Sequence, residues 1–487
     1  MPDLTTSAPA TPPWRVLAAT SIGVVLTFLN TSSLDVALPS VVRHFDAGPT
    51  AAAWVLLSYM LAVTVLVLAL GRLSDLLGRR RVYLTGLAVV TVASLGCALS
   101  PDVGVLIGMR VGQAIGAAAV ITSTSAILAD AFPAEQLPVA LGLNATVAAT
   151  GALIGPVAGG LLVSLGGWSA VFWPVVPLGL LALGASALTV PPSPPRRAGE
   201  RFDLLGAALS LLGLGGLVVA VSSGGSLGWT DPLVLTAAGA AVVALPLFVV
   251  VQARGRHPLL DLGLLTDRAR GMAYLAGFLL SVAQFAVVLL VSLFLQAQDG
   301  LSAVDAGLCV LPVAVGTVLT APLAGRLARR FPARALSTVG LLLVAAGLLV
   351  LAVVLRPSAG VLLTVPLTMI GAGTGLFMTP NTSAILASVP AGRRGAANGV
   401  RSMLQNAGFV LSTALTLAVV TAGLEPAARE AVYSGMLSEL PGAAGDAFVT
   451  GSRAALLVLG VLCLGAVAAS LSRGAPQPTP RPVEVPA

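Results

Sequence analysis

The sequence predicts an all-α polytopic membrane protein with 14 transmembrane helices, two six-helix pseudo-repeats separated by two inserted helices (6+2+6). Three observations predict it. Hydrophobic residues make up 57% of the 487-residue chain and charged residues 9%, far too few charges to cover a water-facing surface. The apolar stretches run unbroken for about twenty residues, the length a helix needs to cross a bilayer, where barrel strands would alternate over about ten. All 26 basic residues are arginine, and they cluster in short loops between those stretches. The formal charge of +7 therefore reads as membrane topology and not as a nucleic-acid footprint.

Residues 1–15 read as a disordered tail, rich in Pro, Thr and Ala and without a basic residue from Met1 to Pro13. The apolar run behind it is too long and too interrupted by polar groups for a cleaved signal. Six spans fill 16–190: Val16 to Pro39, Ala52 to Leu70, Val82 to Leu99, Val103 to Leu128, Val139 to Leu165 and Ala170 to Val190. A proline-stiffened basic linker at 191–203, reading PPSPPRRAGERF from Pro191 to Phe202, marks the boundary of the first half. The inserted helices, Leu204 to Val221 and Leu233 to Val251, fill 204–251 and lead into a loop at 252–271. The second half at 272–471 holds Met272 to Leu295, Ala306 to Ala324, Leu336 to Leu355, Val361 to Leu386, Gly399 to Ala422 and Ala454 to Leu471. Residues 472–487 form a second disordered tail. The loop Gly423 to Gly451 is long and acidic, and its stretch from Ala427 to Leu437 is expected to form a short surface helix.

An even number of spans puts both termini on one face. Assigning loops alternately gives that face 21 arginines against 4 on the other, with Arg110 left inside a span; the acids divide 9 and 9, with Asp35 left over. A bias in arginine without a bias in acids is the positive-inside pattern. Both termini are thus expected in the cytoplasm, and the chain in the cell (inner/plasma) membrane.

The second span is followed by Gly71-Arg-Leu-Ser-Asp75-Leu-Leu-Gly78-Arg79-Arg80-Arg81, and the tenth by an echo, Gly325-Arg-Leu-Ala-Arg329-Arg330. Copies eight spans apart imply six-helix repeats with two helices inserted, related by an axis along the membrane normal. Gly71 and Gly78 permit tight turns, and Asp75 can pair with Arg79 and Arg80 or accept from a helix start. A conformational latch and a purely topogenic loop both suit that chemistry.

Asp35 is the only acid expected inside a span, and a carboxylate at membrane depth costs roughly 2.5 to 3.5 kcal/mol. It must pair, take up a proton, or lie in water at the helix end near Pro39 and Arg43. Arg110, with Gln113 three residues on along the same face, is the only arginine expected inside a span. It either finds acceptors in the interior or reaches for the interface. Gly151, Gly155 and Gly159 line one face of the fifth span for close backbone approach, with Gly160 next to them and Pro156 as a kink site. Asn30, Gln113, Asn144, Gln284 and Asn381 are candidates for the substrate cavity, with Gln296, Gln405 and Asn406 as further polar groups within spans. Spans one, four, nine and twelve are then the central ones, and Trp54, Trp168 and Trp173 near span ends suit interface anchoring. Cys97, Cys309 and Cys463 lie singly in apolar runs, His44 and His257 are far apart, and no lysine exists to complete a phosphate-binding loop. No catalytic set, metal site or cofactor is implied.

These motifs resemble those of the major facilitator superfamily, and fourteen spans resemble its drug:proton antiporter branch. Gly71 to Arg81 is similar to the signature loop between the family's second and third helices. Leu34-Asp35-Val36-Ala37-Leu38-Pro39 resembles the branch's first-helix motif, Arg110-Val-Gly-Gln113-Ala-Ile-Gly116 its fourth, and Gly151-Ala-Leu-Ile-Gly155-Pro156-Val-Ala-Gly159-Gly160 its fifth-helix antiporter motif. Leu76, Ala114 and Arg329 depart from the pattern, the last standing where the second copy would carry an acid. The resemblance implies a proton-coupled secondary antiporter that exports lipophilic drug- or antibiotic-like molecules by alternating access, with Asp35 and Arg110 in proton coupling and the fifth helix packed against the other half. Its partners would be a small lipophilic substrate, protons and the lipid bilayer, with no nucleic acid, and a monomer is expected. Alternatives are an exporter of an endogenous metabolite, lipid or amino acid, and a non-transporting membrane sensor of the same fold.

Overall fold

A computed structural model of the protein describes residues 12–47, 49–192, 202–255, 259–260, 262–301, 303–390, 393–425 and 442–473. Most of the linker at 191–203, the helix expected at Ala427 to Leu437, and residues 1–11 and 474–487 lie outside them. Among the described residues there is no strand. The long helices are α1 (Pro13–Phe45), α2 (Pro49–Leu77), α3 (Arg79–Ala98), α4 (Val103–Ala131), α5 (Leu137–Gly166), α6 (Val175–Thr189), α7 (Leu204–Leu227), α8 (Pro232–Arg254), α9 (Arg268–Asp299), α10 (Ala303–Leu327), α11 (Ala333–Val354), α12 (Thr364–Ala387), α13 (Arg394–Thr421) and α14 (Gly442–Leu471). Among the described residues 13 of these segments are long and apolar enough to cross a membrane. The remaining one, α5, is a helix of 30 residues.

The helices outrun their apolar segments, which corrects several expectations. α1 starts at Pro13, inside the expected tail, because proline lacks only an N–H that has no partner in a first turn. α2 continues beyond Leu70 to Leu77 and α4 beyond Leu128 to Ala131, so Asp75 and Asp130 are helical residues. Asp35 is therefore not the only acid inside a span: the Asp75 side chain is 1% exposed. α13 starts at Arg394, ahead of the expected Gly399, and holds both Arg394 and Arg401, the latter already within the expected span Gly399 to Ala422, so Arg110 is not the only arginine inside a helix. Hydropathy marks where a helix is apolar; the hydrogen-bond ladder carries it further.

The second tail also begins later than residue 472. Arg473 is buried and donates to Asn381 Oδ1 at 2.6 Å. Arg268 and Arg334 donate to the carbonyls of Ser472 and Leu471, cations placed at the negative end of α14. Burial, with Arg334 nearby, pushes the Arg473 guanidinium down to about 10.

The repeat is visible in the packing. In the first half α1 packs on α5 and α6, α4 on α2 and α3, and α3 on α6; in the second, α9 packs on α13 and α14, α12 on α10 and α11, and α11 on α14. The inserted α7 and α8 pack on each other, and α7 reaches both α2 and α13. The halves meet along two seams, α2 with α13 and α5 with α10. Glycine makes both possible: a Cβ on Gly71 would stand 2.8 Å from the Gly395 carbonyl oxygen, and one on Gly142 2.5 Å from that of Ala321. Both contacts lie toward the arginine-rich ends of their helices.

Candidate functional site

α2 and α3 break at Gly78, whose φ of 96° is open to glycine at no steric cost. The break leaves Asp75 and Arg79 a turn apart, paired at 3.2 Å. Asp75 also accepts from the backbone N–H groups of Gly395 (3.0 Å) and Ala396 (2.7 Å), in the first turn of α13 in the other half. Those N–H groups have no partner within α13 and carry its positive end, so the buried carboxylate binds them by hydrogen bond and by charge. Arg79 pairs in turn with Asp130 at the end of α4, and Asp130 accepts from Arg394 of α13 at 3.1 Å. One turn on, fully buried Asn398 donates to the Ile121 and Thr122 carbonyls of α4 at 3.2 and 3.0 Å.

Of the residues expected to form the latch, Gly71, Asp75, Gly78 and Arg79 come together here. Arg80 does not join them; it donates to the Ala187 carbonyl at the end of α6, bracing its own half. Sequence reasoning misses Asp130, Arg394 and Asn398, which lie beyond or before the hydropathy boundaries of α4 and α13. The available signal was Gly395 and Gly399, four residues apart like the glycines of α5.

A second polar network lies in the first half, nearer the opposite face. Arg110 is 1% exposed and does not reach for the interface. Its Nε donates to the Val55 carbonyl at 3.3 Å, another nitrogen donates to Gln113 Oε1 at 2.9 Å, and the guanidinium lies 4.3 Å from the centre of the Tyr59 ring. Gln113 donates onward to Ser94 Oγ at 2.8 Å and Asn30 Oδ1 at 3.4 Å, joining α4 to α1. The backbone at Asp35 is helical, with α1 continuing to Phe45. The side chains of Asp35 and Pro156 lie outside the described residues.

In the second half Thr374 donates to Gln284 Oε1 at 2.6 Å, joining α12 to α9 as Asn30 and Gln113 join α1 to α4. Asn381 is buried and donates to the Ala273 carbonyl of α9 at 3.3 Å. Asn144 on α5 buries its Oδ1 with no hydrogen-bond partner among the described residues. Gly151, Gly155 and Gly159 face α1 of their own half, against Val25 and Phe28, Ser32, and Ser33, and Ser33 Oγ donates to the Gly155 carbonyl at 3.0 Å. α5 meets the other half through a different stretch, Pro138 to Thr146. Gly160 follows on the same helix.

The sequence model of the family described as Major Facilitator Superfamily matches residues 20–413. Multidrug resistance protein Stp of Mycobacterium tuberculosis is 35% identical over 421 residues, 85% of this chain and 78% of that protein. The tetracenomycin C resistance and export protein of Streptomyces glaucescens is 29% identical over 403 residues, 83% of this chain and 75% of that one. Among solved structures, the proton:xylose symporter XylE has a TM-score of 0.65 at 16% identity, over 94% of either chain, a likeness of fold.

Proposed function

Since this chain belongs to the Major Facilitator Superfamily, whose members are transporters and not enzymes, we propose that it is a proton-coupled antiporter exporting lipophilic drug- or antibiotic-like molecules by alternating access. The observation that carries the reading is the charge cluster crossing between the halves, Asp75 on the start of α13 and Arg79–Asp130–Arg394 beside it. Such a cluster is a reversible closure: it holds the halves together at one face and can be broken without unfolding either. Every hydrogen bond that crosses between the halves among the described residues lies toward the arginine-rich face. With that face and both termini in the cytoplasm of a cell-membrane protein, the arrangement is sealed inward.

Export against a gradient needs a coupled ion. Asp35 supplies the chemistry, because desolvation favours its protonated form and a nearby cation favours the ionised one, so a rocking motion that alters either loads or releases a proton. Arg110, buried and hydrogen-bonded to Val55 and Gln113, is the cation assigned to that exchange. The driving force is the proton gradient, ~2.3 kcal/mol per charge per 100 mV, plus its pH component. Relatives named for multidrug and tetracenomycin C resistance support a toxic, lipophilic cargo. Asp35→Asn is expected to abolish proton-driven export in everted vesicles while expression persists. Export at the wild-type rate would remove Asp35 from coupling.

A further inference from the structure

Arg401 stands one turn beyond Asn398 in α13, and among the described residues its guanidinium has only neutral hydrogen-bond partners. Nε donates to Asn398 Oδ1 at 2.9 Å and the other nitrogens to Gln405 Oε1 at 2.8 Å and Ser402 Oγ at 3.0 Å, all from its own helix. Each latch arginine, by contrast, faces a carboxylate. A guanidinium offers five N–H groups and stays charged, and at membrane depth a cation without a counter-charge is costly. The residues around it form a groove between α9, α12 and α13, lined among others by Tyr274, Phe278, Asn381, Thr382 and Gln405, with no acid among them. Its volume is about 10 Å³, room for a single water. The site supplies a cation and space for one oxygen-sized atom.

We propose that Arg401 is a subsite for the anionic group of a lipophilic cargo, a carboxylate or comparable singly charged oxyanion. One oxygen enters the space beside the guanidinium, and Phe278 and Met378 flank it with apolar surface. Arg401 can give such a group a paired, charge-assisted contact stronger than its present neutral ones. Occupancy also reaches the closure. Drawing the guanidinium away from Asn398 frees the residue whose amide spans to α4, so an anion arriving here loosens one inter-half strut. The site stands by itself; that its ligand is cargo rests on the transport reading.

The test uses the full chain in nanodiscs of zwitterionic lipid, with pyrenebutyrate and its uncharged methyl ester as probes and empty discs subtracted. Binding is read as energy transfer from tryptophan to pyrene, and folding as the thermal unfolding midpoint. The wild type is expected to bind the carboxylate at least tenfold more tightly than the ester. Arg401→Gln removes that preference and leaves ester affinity and the unfolding midpoint unchanged, while Arg401→Lys, which keeps the charge, retains part of the preference. Equal affinity of the wild type for both probes overturns the proposal, as does a preference that survives Arg401→Gln or one that Arg401→Lys abolishes entirely. Proton-driven efflux from everted vesicles is followed in parallel. Carboxylate preference without efflux sinks the transport reading and spares the site; efflux without the preference does the reverse.

Discussion

At the α2–α13 seam, backbones meet over Gly71, Gly395 and Gly399, and a buried carboxylate bridges to the facing helix start. At the α5–α10 seam they meet as closely, over Gly142 and Gly325, yet the crossing hydrogen bond there runs from Thr146 Oγ1 to the Val318 carbonyl at 3.3 Å. The residue matching Asp75 in the second copy is Arg329, exposed past the end of α10. The inserted pair is one-sided as well, since α7 packs on α2 and α13. Close approach is thus what the repeat shares, and charge is what it does not. Glycine brings the halves together at both seams, and the acid at one of them decides how firmly that closure is held.

The comparison breaks first at Asp75. Asp75→Asn takes one of its carboxylate partners from Arg79, leaving Asp130, and removes the charge that binds the start of α13, a loss on the order of 3 kcal/mol, or roughly a hundredfold change in the closed-to-open ratio. Spin-label distances across the arginine-rich face should lengthen and export should collapse at normal expression; a wild-type distance distribution would show that Asp75 does not latch. Next come the two glycines. Gly71→Ala and Gly142→Ala each drive a Cβ into facing backbone and are expected to cost about 1–3 kcal/mol, seen as similar drops in thermal midpoint and export. If only Gly71→Ala mattered, the seams would not be equivalent in packing.

A double-mutant cycle on Asp130→Asn and Arg394→Gln should return a coupling of about 1 kcal/mol, small because the Asp130 side chain is 29% exposed. A coupling near zero would reduce Arg394 to a spectator. The smallest effect is expected for Arg329→Asp, which installs the missing acid in the second copy. Without a partner arranged to receive it, stability should shift by no more than about 0.5 kcal/mol. A clear gain would mean that a symmetric latch is one substitution away.

Composition and the length of apolar runs made the bundle, its span order and the 6+2+6 division legible, because burial in lipid leaves an unbroken signal in sequence. The echo of Gly71 in Gly325 implied the repeat, and the structure puts both glycines at the seams between the halves. Helix ends were less legible: around Asp75, Asp130 and Arg394 the chain is charged yet still helical, so hydropathy assigned them to loops or passed over them. The partners of Asp75 are backbone N–H groups 320 and 321 residues away, a contact with no side-chain signature to read. Gly151, Gly155 and Gly159 showed that a face would pack but not that α1 would fill it.

Arg473 gives the stretch just past α14 a mechanical task. Its guanidinium wedges beneath the second bundle against Asn381, while Arg268 and Arg334 clamp the last carbonyls of α14. A protein trimmed back to Leu471 would lose this stopper and open a hole under the bundle. Attaching an affinity handle within the final helical turn would be the equivalent of pulling the cork.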